Sequence, residues 1–169
     1  MKFLRAIMLG VCSFALASVP AAQLSAHVPA ALDAPNVVVV ARVHAEGAQI
    51  YQCSLDASQK LAWKAREPIA TLISEGTTVG RHYAGPTWEY ADGSALSGRV
   101  VSSAPGVTSD DIPWLKLEVT AQRQEGKLTG TNIVQRLNTR GGVAAGPCET
   151  AGSYRSVPYS ADYVFLRKE

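Results

Sequence analysis

The chain has 169 residues, of which 47% are hydrophobic, 7% aromatic and 18% charged. This is ordinary globular composition with room for one domain, and it excludes a disordered polymer, a collagen-like repeat and a multidomain assembly. The formal charge is only +2, with no basic run and no aromatic–basic interleaving, so nucleic acid is disfavoured as a partner, because phosphate neutralisation needs clustered Lys and Arg.

Lys2 and Arg5 precede an apolar run of 12 residues, Ala6 to Ala17, too short to span a bilayer comfortably. Small residues follow, from Ser18 to Ala22. The pattern predicts a secretory signal peptide over residues 1–22, cleaved after Ala21 or Ala22 with Ala26 as the alternative, which leaves no stable membrane anchor. Val11 directly before Cys12 argues against a lipoprotein signal. Taking Lys2 and Arg5 from the 16 basic residues leaves 14 against 14 acidic ones. The mature domain is therefore near neutral, which also disfavours an anionic membrane surface. Cys12 departs with the leader. Cys53 and Cys148 remain as an even pair in an oxidising compartment, which predicts a disulfide and a periplasmic or secreted protein.

Residues 23–36, carrying Pro29 and Pro35, read as an extended N-terminal arm, and 37–169 as a single all-β domain. Val37 to Val40 is β-branched and predicts a strand. Beyond it Arg42, His44 and Glu46 alternate with Ala41, Val43 and Ala45, one face wet and one dry. Gly47 predicts a bulge or a tight turn before Gln49 to Cys53. Leu61 to Ala65 reads as a short strand, and Pro68 to Ser74 is open between strand and a single helical turn. Thr77 to Tyr83 and Thr87 to Tyr90 are strands around a Gly85-Pro86 turn. Asp92-Gly93 predicts a hairpin. A three-residue loop, Ala91-Asp92-Gly93, pairs Trp88 with Leu96 and Glu89 with Ala95, and it alone keeps Trp88, Leu96 and Val100 on one face. After a polar loop over Ser102 to Asp111, Leu115, Leu117 and Val119 share a face, opposite Trp114, Lys116 and Glu118. Leu128 to Leu137 is a strand with mixed faces. Tyr159, Ala161, Tyr163 and Phe165 share the last apolar face, opposite Ser160 and Asp162. About eight short antiparallel strands with little helix predict an all-β fold, a β-sandwich or a barrel-like one.

Several stretches, in order over nearly the whole mature chain, give a resemblance. They are Glu46 to Cys53, Gly80-Arg81-His82-Tyr83-Ala84-Gly85-Pro86-Thr87-Trp88-Glu89, Asp92-Gly93-Ser94, Ile112 to Leu115, Gln135 to Thr139, Gly141-Gly142, Cys148 and Val157 to Tyr163. On these the chain resembles a family of secreted bacterial and fungal proteins known as domain of unknown function 3455 (DUF3455). The resemblance implies no established function. Some fungal relatives carry a malate dehydrogenase label, which this sequence does not support: it has no G-x-G-x-x-G between a strand and a helix to hold a dinucleotide.

The densest polar cluster is Arg81, His82, Tyr83, Thr87, Trp88, Glu89 and Asp92. His82 shares a strand face with Gly80, which leaves space beside the imidazole. His82 reads either as a base or ligand contact oriented by Glu89 or Asp162, or as a structural histidine bonded to a neighbouring loop, and the second is favoured. Arg81 and Arg136 sit among apolar neighbours. Each suits either a ligand anion or an internal pair with Glu89, Glu118 or Asp162, again with the second favoured. Trp114 either stacks on a sugar or aromatic ligand or covers a second small core or the sheet edge. Trp63 and Trp88 read as core, and Tyr51 as packing on the disulfide. No cofactor is expected, and no metal. The histidines are far apart, and only His44 and Glu46, two residues apart on one strand face, suggest weak binding. No nucleophile elbow occurs.

These observations favour an exported binding module over an enzyme. Its expected contact surface joins Arg81, His82, Tyr83, Trp114 and Arg136, and its expected partner is a small molecule, a glycan or an envelope protein, with carbohydrate, small anion and partner protein all open. The alternatives are a small periplasmic hydrolase or lyase using His82 with a carboxylate (Glu89 or Asp162) and Arg136, and a structural envelope protein.

Overall fold

A computed structural model describes residues 28–169. The predicted signal peptide, and the first part of the arm, lie outside the described residues. Eight antiparallel strands follow in chain order: β1 (Val37–Leu55), β2 (Leu61–Ser74), β3 (Thr77–Tyr83), β4 (Thr87–Tyr90), β5 (Ala95–Ala104), β6 (Trp114–Arg123), β7 (Ile133–Gly141) and β8 (Tyr154–Lys168). Each pairs with its chain neighbour, and β8 returns to pair with β1, so the sheet closes into an up-and-down barrel. Of the two all-β architectures the sequence allows, the barrel is the one formed. Closure leaves no sheet edge exposed along the wall.

The period-two pattern places the core. Ala41, Val43 and Ala45 of β1, Leu117 of β6, Val134 of β7, and Tyr159, Ala161, Tyr163 and Phe165 of β8 all point inward and are buried. Arg42, His44 and Glu46 of β1 point out. The β4–β5 hairpin has the predicted register, with Trp88 opposite Leu96 and Glu89 opposite Ala95. Gly93 takes a positive φ of 86° at the tip of its three-residue loop, a conformation glycine adopts without a Cβ penalty. Asp92 holds this tip. Its Oδ1 accepts from the Ser94 backbone N–H and hydroxyl, and its Oδ2 from the Lys127 N–H of the β6–β7 loop.

Four expectations change. β1 runs unbroken through Gly47, and its bulge against β2 lies at Ile50/Tyr51. Gly47 instead marks a close approach, since a Cβ there would stand 2.1 Å from the Ile69 carbonyl oxygen. Pro68 to Ser74 is strand throughout, within β2. Pro68 pairs with Gln49 on one side, but β3 pairs with β2 only from Ala70 onward, so the missing proline N–H breaks no ladder bond there. β7 starts at Ile133 and not at Leu128. Leu128 sits in the preceding turn, 2% exposed, and fills that end of the barrel core.

The fourth change concerns the arm. From Val28 it is not simply extended: Ala30–Leu32 forms a 3-10 turn that drives Leu32 into the outside of the barrel wall. Leu32 packs with Trp114, Ile133, Leu137, Val164 and Leu166 in a second core. Gln135 Nε2 donates to the Leu32 carbonyl and Lys116 Nζ to that of Asp33. This explains the mixed faces of β7, which is buried on both sides. No helix among the described residues is long and apolar enough to cross a membrane. Cys53, near the end of β1, is disulfide-bonded to Cys148 in the β7–β8 loop, with Cα atoms 5.7 Å apart.

Candidate functional site

In an up-and-down barrel alternate turns share an end. The β1–β2, β3–β4, β5–β6 and β7–β8 connections therefore rim one mouth, and the disulfide lies on that rim. Just inside it is a cavity of about 90 Å³. Its walls are Pro68, Pro86, Trp88, Val100, Leu115 and Leu117, and its polar lining is Gln49, His82, Arg136 and Tyr163.

His82 reaches the interior because it alternates with outward Arg81 and Tyr83 along β3. It is 2% exposed. Its ring stacks on Trp88 at 4.7 Å between centroids and 8° between planes, and meets Tyr163 edge-on at 5.0 Å. His82 Nδ1 lies 2.8 Å from the Thr87 carbonyl oxygen. A carbonyl only accepts, so Nδ1 carries the proton and Nε2 is left as the ring's acceptor. Burial pushes the pKa down to about 4, partly offset by that hydrogen bond and helped by the Arg136 charge. The imidazole is therefore neutral near pH 7. The space predicted beside it is occupied: a Cβ on Gly80 would stand 2.2 Å from the Glu89 carbonyl oxygen, so β4 backbone fills that gap.

Arg136 alternates inward on β7 between outward Gln135 and Leu137. Its Nε and Nη2 donate to the Pro113 carbonyl at 3.1 and 2.8 Å. It makes no salt bridge among the described residues. Each carboxylate expected for it is engaged elsewhere. Glu89 holds Arg81 and Arg123, Glu118 holds Arg99, and Asp162 holds His44. Its charge acts instead on Tyr51, Tyr159 and Tyr163 as well as His82. The Tyr159 and Tyr163 hydroxyls lie 3.5 Å apart, and the Tyr51 hydroxyl donates to the Gly142 carbonyl at 2.6 Å. Burial raises all three phenols, so they remain protonated.

Of the expected contact surface, only His82 and Arg136 share this cavity. Arg81, Tyr83 and Glu89 lie on the outer wall. There Glu89 Oε1 binds Arg81 at 2.9 Å, and Oε2 binds Arg123 at 2.7 Å and the Tyr83 hydroxyl at 2.8 Å. The Tyr83 hydrogen bond and then the arginines lower the Glu89 pKa. Trp114 is buried under the arm, 6% exposed, and is not available for stacking. No carboxylate orients His82, because Glu89 and Asp162 are both on the outside, so the His82–carboxylate pair of the hydrolase reading does not form. Sequence reasoning did not assign Gln49, Tyr159 or Tyr163 to the site. The alternation of Tyr159, Tyr163 and Phe165 marked them as one face, but only barrel closure turns that face toward Arg136.

His44 sits on the outer wall between two carboxylates. Nδ1 is 2.9 Å from Asp162 Oδ1, and Nε2 is 2.9 Å from Glu46 Oε1. Asn138 donates to the other Asp162 oxygen. The Asp162 bond, opposed by partial burial and reinforced by Glu46, raises the His44 pKa. A raised histidine contributes stability that is full below its unfolded value of about 6.5 and is lost as pH rises through the folded value. His44→Gln is expected to lower stability at pH 5.5 by under about 1 kcal/mol, since exposed pairs are screened, with the gap closing above neutral pH. Melting temperatures of both proteins from pH 5 to 9 check this, and a gap independent of pH would refute it.

A larger depression of about 660 Å³ runs along β6 beside Thr131, Asn132 and Lys168. It gathers neither a histidine nor an unpaired arginine, so the interior cavity is the stronger candidate although it is smaller. The comparisons with known proteins add the family. The model described as a protein of unknown function, DUF3455, matches residues 33–167. No curated protein and no solved structure matches the chain significantly.

Proposed function

The chain belongs to the DUF3455 family, and we propose that it is an exported binding module whose barrel mouth takes the anionic end of a small ligand. The observation that carries this is Arg136. A half-buried guanidinium normally has a carboxylate partner, because an uncompensated charge in a low-dielectric site is costly. Here two N–H groups serve the Pro113 carbonyl and no carboxylate of the described residues reaches the others. A ligand carboxylate would accept those remaining donors in the fork geometry that arginine favours. Apolar walls and a few convergent polar groups are the usual composition of a small-molecule site. The cavity is smaller than a drug-sized pocket, which supports a small ligand or one end group. The disulfide is consistent with an oxidising compartment outside the cytoplasm.

Binding is favoured over catalysis because burial holds the His82 pKa down at about 4 and no carboxylate supports its ring, which makes it a weak base near pH 7. Titration of the ¹⁵N-labelled protein with sodium acetate is expected to shift amides around the mouth saturably. Arg136→Gln is expected to weaken that binding at least tenfold, the loss of about one charge-assisted hydrogen-bond pair. Unchanged affinity in Arg136→Gln would sink the proposal.

A further inference from the structure

The polar lining of the mouth is not built for a bare carboxylate, and its mismatch names the ligand more closely. This step rests on the anion reading above. Arg136 is a pure donor, whereas His82 is an acceptor toward the cavity. His82 Nδ1 is committed to the Thr87 carbonyl, so whatever the cavity's occupant asks of the imidazole it asks of Nε2. That nitrogen takes no hydrogen bond from the described residues, and its ring is 2% exposed. A carboxylate oxygen brought against it sets lone pair on lone pair and leaves a buried acceptor unpaired, which is costly. The anion that fits brings an O–H of its own.

We infer that the mouth binds a hydroxy-carboxylate group, its carboxylate on Arg136 and its hydroxyl donating to His82 Nε2. Both residues line the same cavity of about 90 Å³. A space of that size suits one small end group, with any remainder of the ligand outside the rim. Such a group occurs on free small hydroxy acids and, at one end, on open-chain sugar acids whose remainder would lie outside the rim. The half-exposed side chain of Val100, 51% exposed, leaves that rim open on one side. The neutral state of His82 supports the assignment, since only the unprotonated Nε2 accepts.

The test compares glycolate, acetate and methoxyacetate at pH 7 and equal ionic strength, each titrated into the ¹⁵N-labelled full domain. Acetate lacks the hydroxyl, and methoxyacetate keeps the oxygen but has lost its proton. Glycolate is expected to bind about tenfold more tightly than either, the usual effect of leaving one buried acceptor unpaired. His82→Phe, which keeps a flat ring against Trp88, is expected to collapse that ratio to about one while acetate still binds. Should this variant not fold, the wild-type ratios alone decide. Acetate binding as tightly as glycolate would overturn the hydroxyl assignment and leave the anion site standing. Binding of none of the three would overturn both. A glycolate preference that survives in His82→Phe would also overturn the assignment, by removing its acceptor from the effect. D-Gluconate distinguishes the sources: tighter binding than glycolate points to the end of an open-chain sugar acid, weaker binding to a free small acid.

Discussion

Replacing Cys53 and Cys148 together by alanine is expected to lower the unfolding free energy by about 4–5 kcal/mol, the loop-entropy value for a crosslink near 100 residues. The two cysteines are 95 positions apart, so in the unfolded chain the bond ties β1 to the β7–β8 loop across most of the domain. The native rim does not depend on the bond alone. The Cys53 N–H donates to the Ser153 carbonyl at 2.9 Å, and the Gly152 N–H donates to the Cys53 carbonyl at 2.8 Å. Tyr51 also holds Gly142 in the same loop. The loss should therefore come mainly from a freer unfolded state. That has a second signature: the denaturant slope m should rise, because the uncrosslinked chain exposes more surface. Urea unfolding of wild type, of wild type under dithiothreitol and of the double variant measures both quantities. A loss under about 1 kcal/mol with an unchanged m would mean that the unfolded chain holds these segments together without the bond. A domain of this size has a total stability of about 5–15 kcal/mol, so the predicted loss is a large share of it.

Local burial was readable in the sequence, and non-local closure was not. The β4–β5 hairpin shows the first case. Two registers were possible, and only one put Trp88 and Leu96 on the same face without burying Glu89. The fold has that register because a one-residue slip turns a whole face over. The inward faces of β1, β6 and β8 were legible for the same reason. Which strand closes on which was not legible, since the pairing of His44 with Asp162 joins residues far apart in the chain that no local pattern links. The second core was legible only as one of two readings of Trp114, which alternates with Leu115 and Leu117: the fold has the covering one, and nothing near Trp114 announces that Leu32 folds back over it.

The candidate site fell between these cases. The alternation along β3 placed His82 opposite Arg81 and Tyr83, which is how the fold disposes them. The sequence joined all three in one surface because they are adjacent: they do line one outer hollow of about 400 Å³ with Glu89 and Arg123, but of the three only His82 also lines the interior cavity with Arg136. Arg136 shows the converse. Three acidic residues were available to pair with it on paper, and all three are on the outside, paired with other cations. An arginine inside a closed barrel without a carboxylate is a property of the closure and not of any motif. The stretches that carry the family resemblance supply most of this mouth: Gln49 and Tyr51, His82, Pro86 and Trp88, Pro113 and Leu115, Arg136, Gly142, Cys148, Tyr159 and Tyr163.

Trp88→Ala is expected to cost about 3–5 kcal/mol, the usual range for removing a large aromatic side chain from a core. Trp88 is 1% exposed. It stacks on His82, meets Tyr163 edge-on at 5.5 Å and Phe165 at 6.2 Å, and so joins β3, β4 and β8 across the interior. β4 is only four residues long, so its backbone bonds alone hold it weakly. Collapse cannot heal the loss, because a cavity already lies beside the indole, and the new void would merge with it. Trp88→Phe separates packing from hydrogen bonding. The indole Nε1 is buried without a partner, and phenylalanine removes that unmet donor while keeping an aromatic face for His82. Phenylalanine should therefore recover more than half of the alanine loss in urea unfolding. Equal losses for the two variants would mean that the indole's outer ring, which a Cβ on Gly98 would meet at 3.5 Å, carries the packing and that the His82 stack contributes little. The same residue couples stability to the candidate site. A weaker glycolate response in Trp88→Ala would report a displaced His82 and not a lost ligand contact, so Arg136 and His82 remain the positions at which binding is tested.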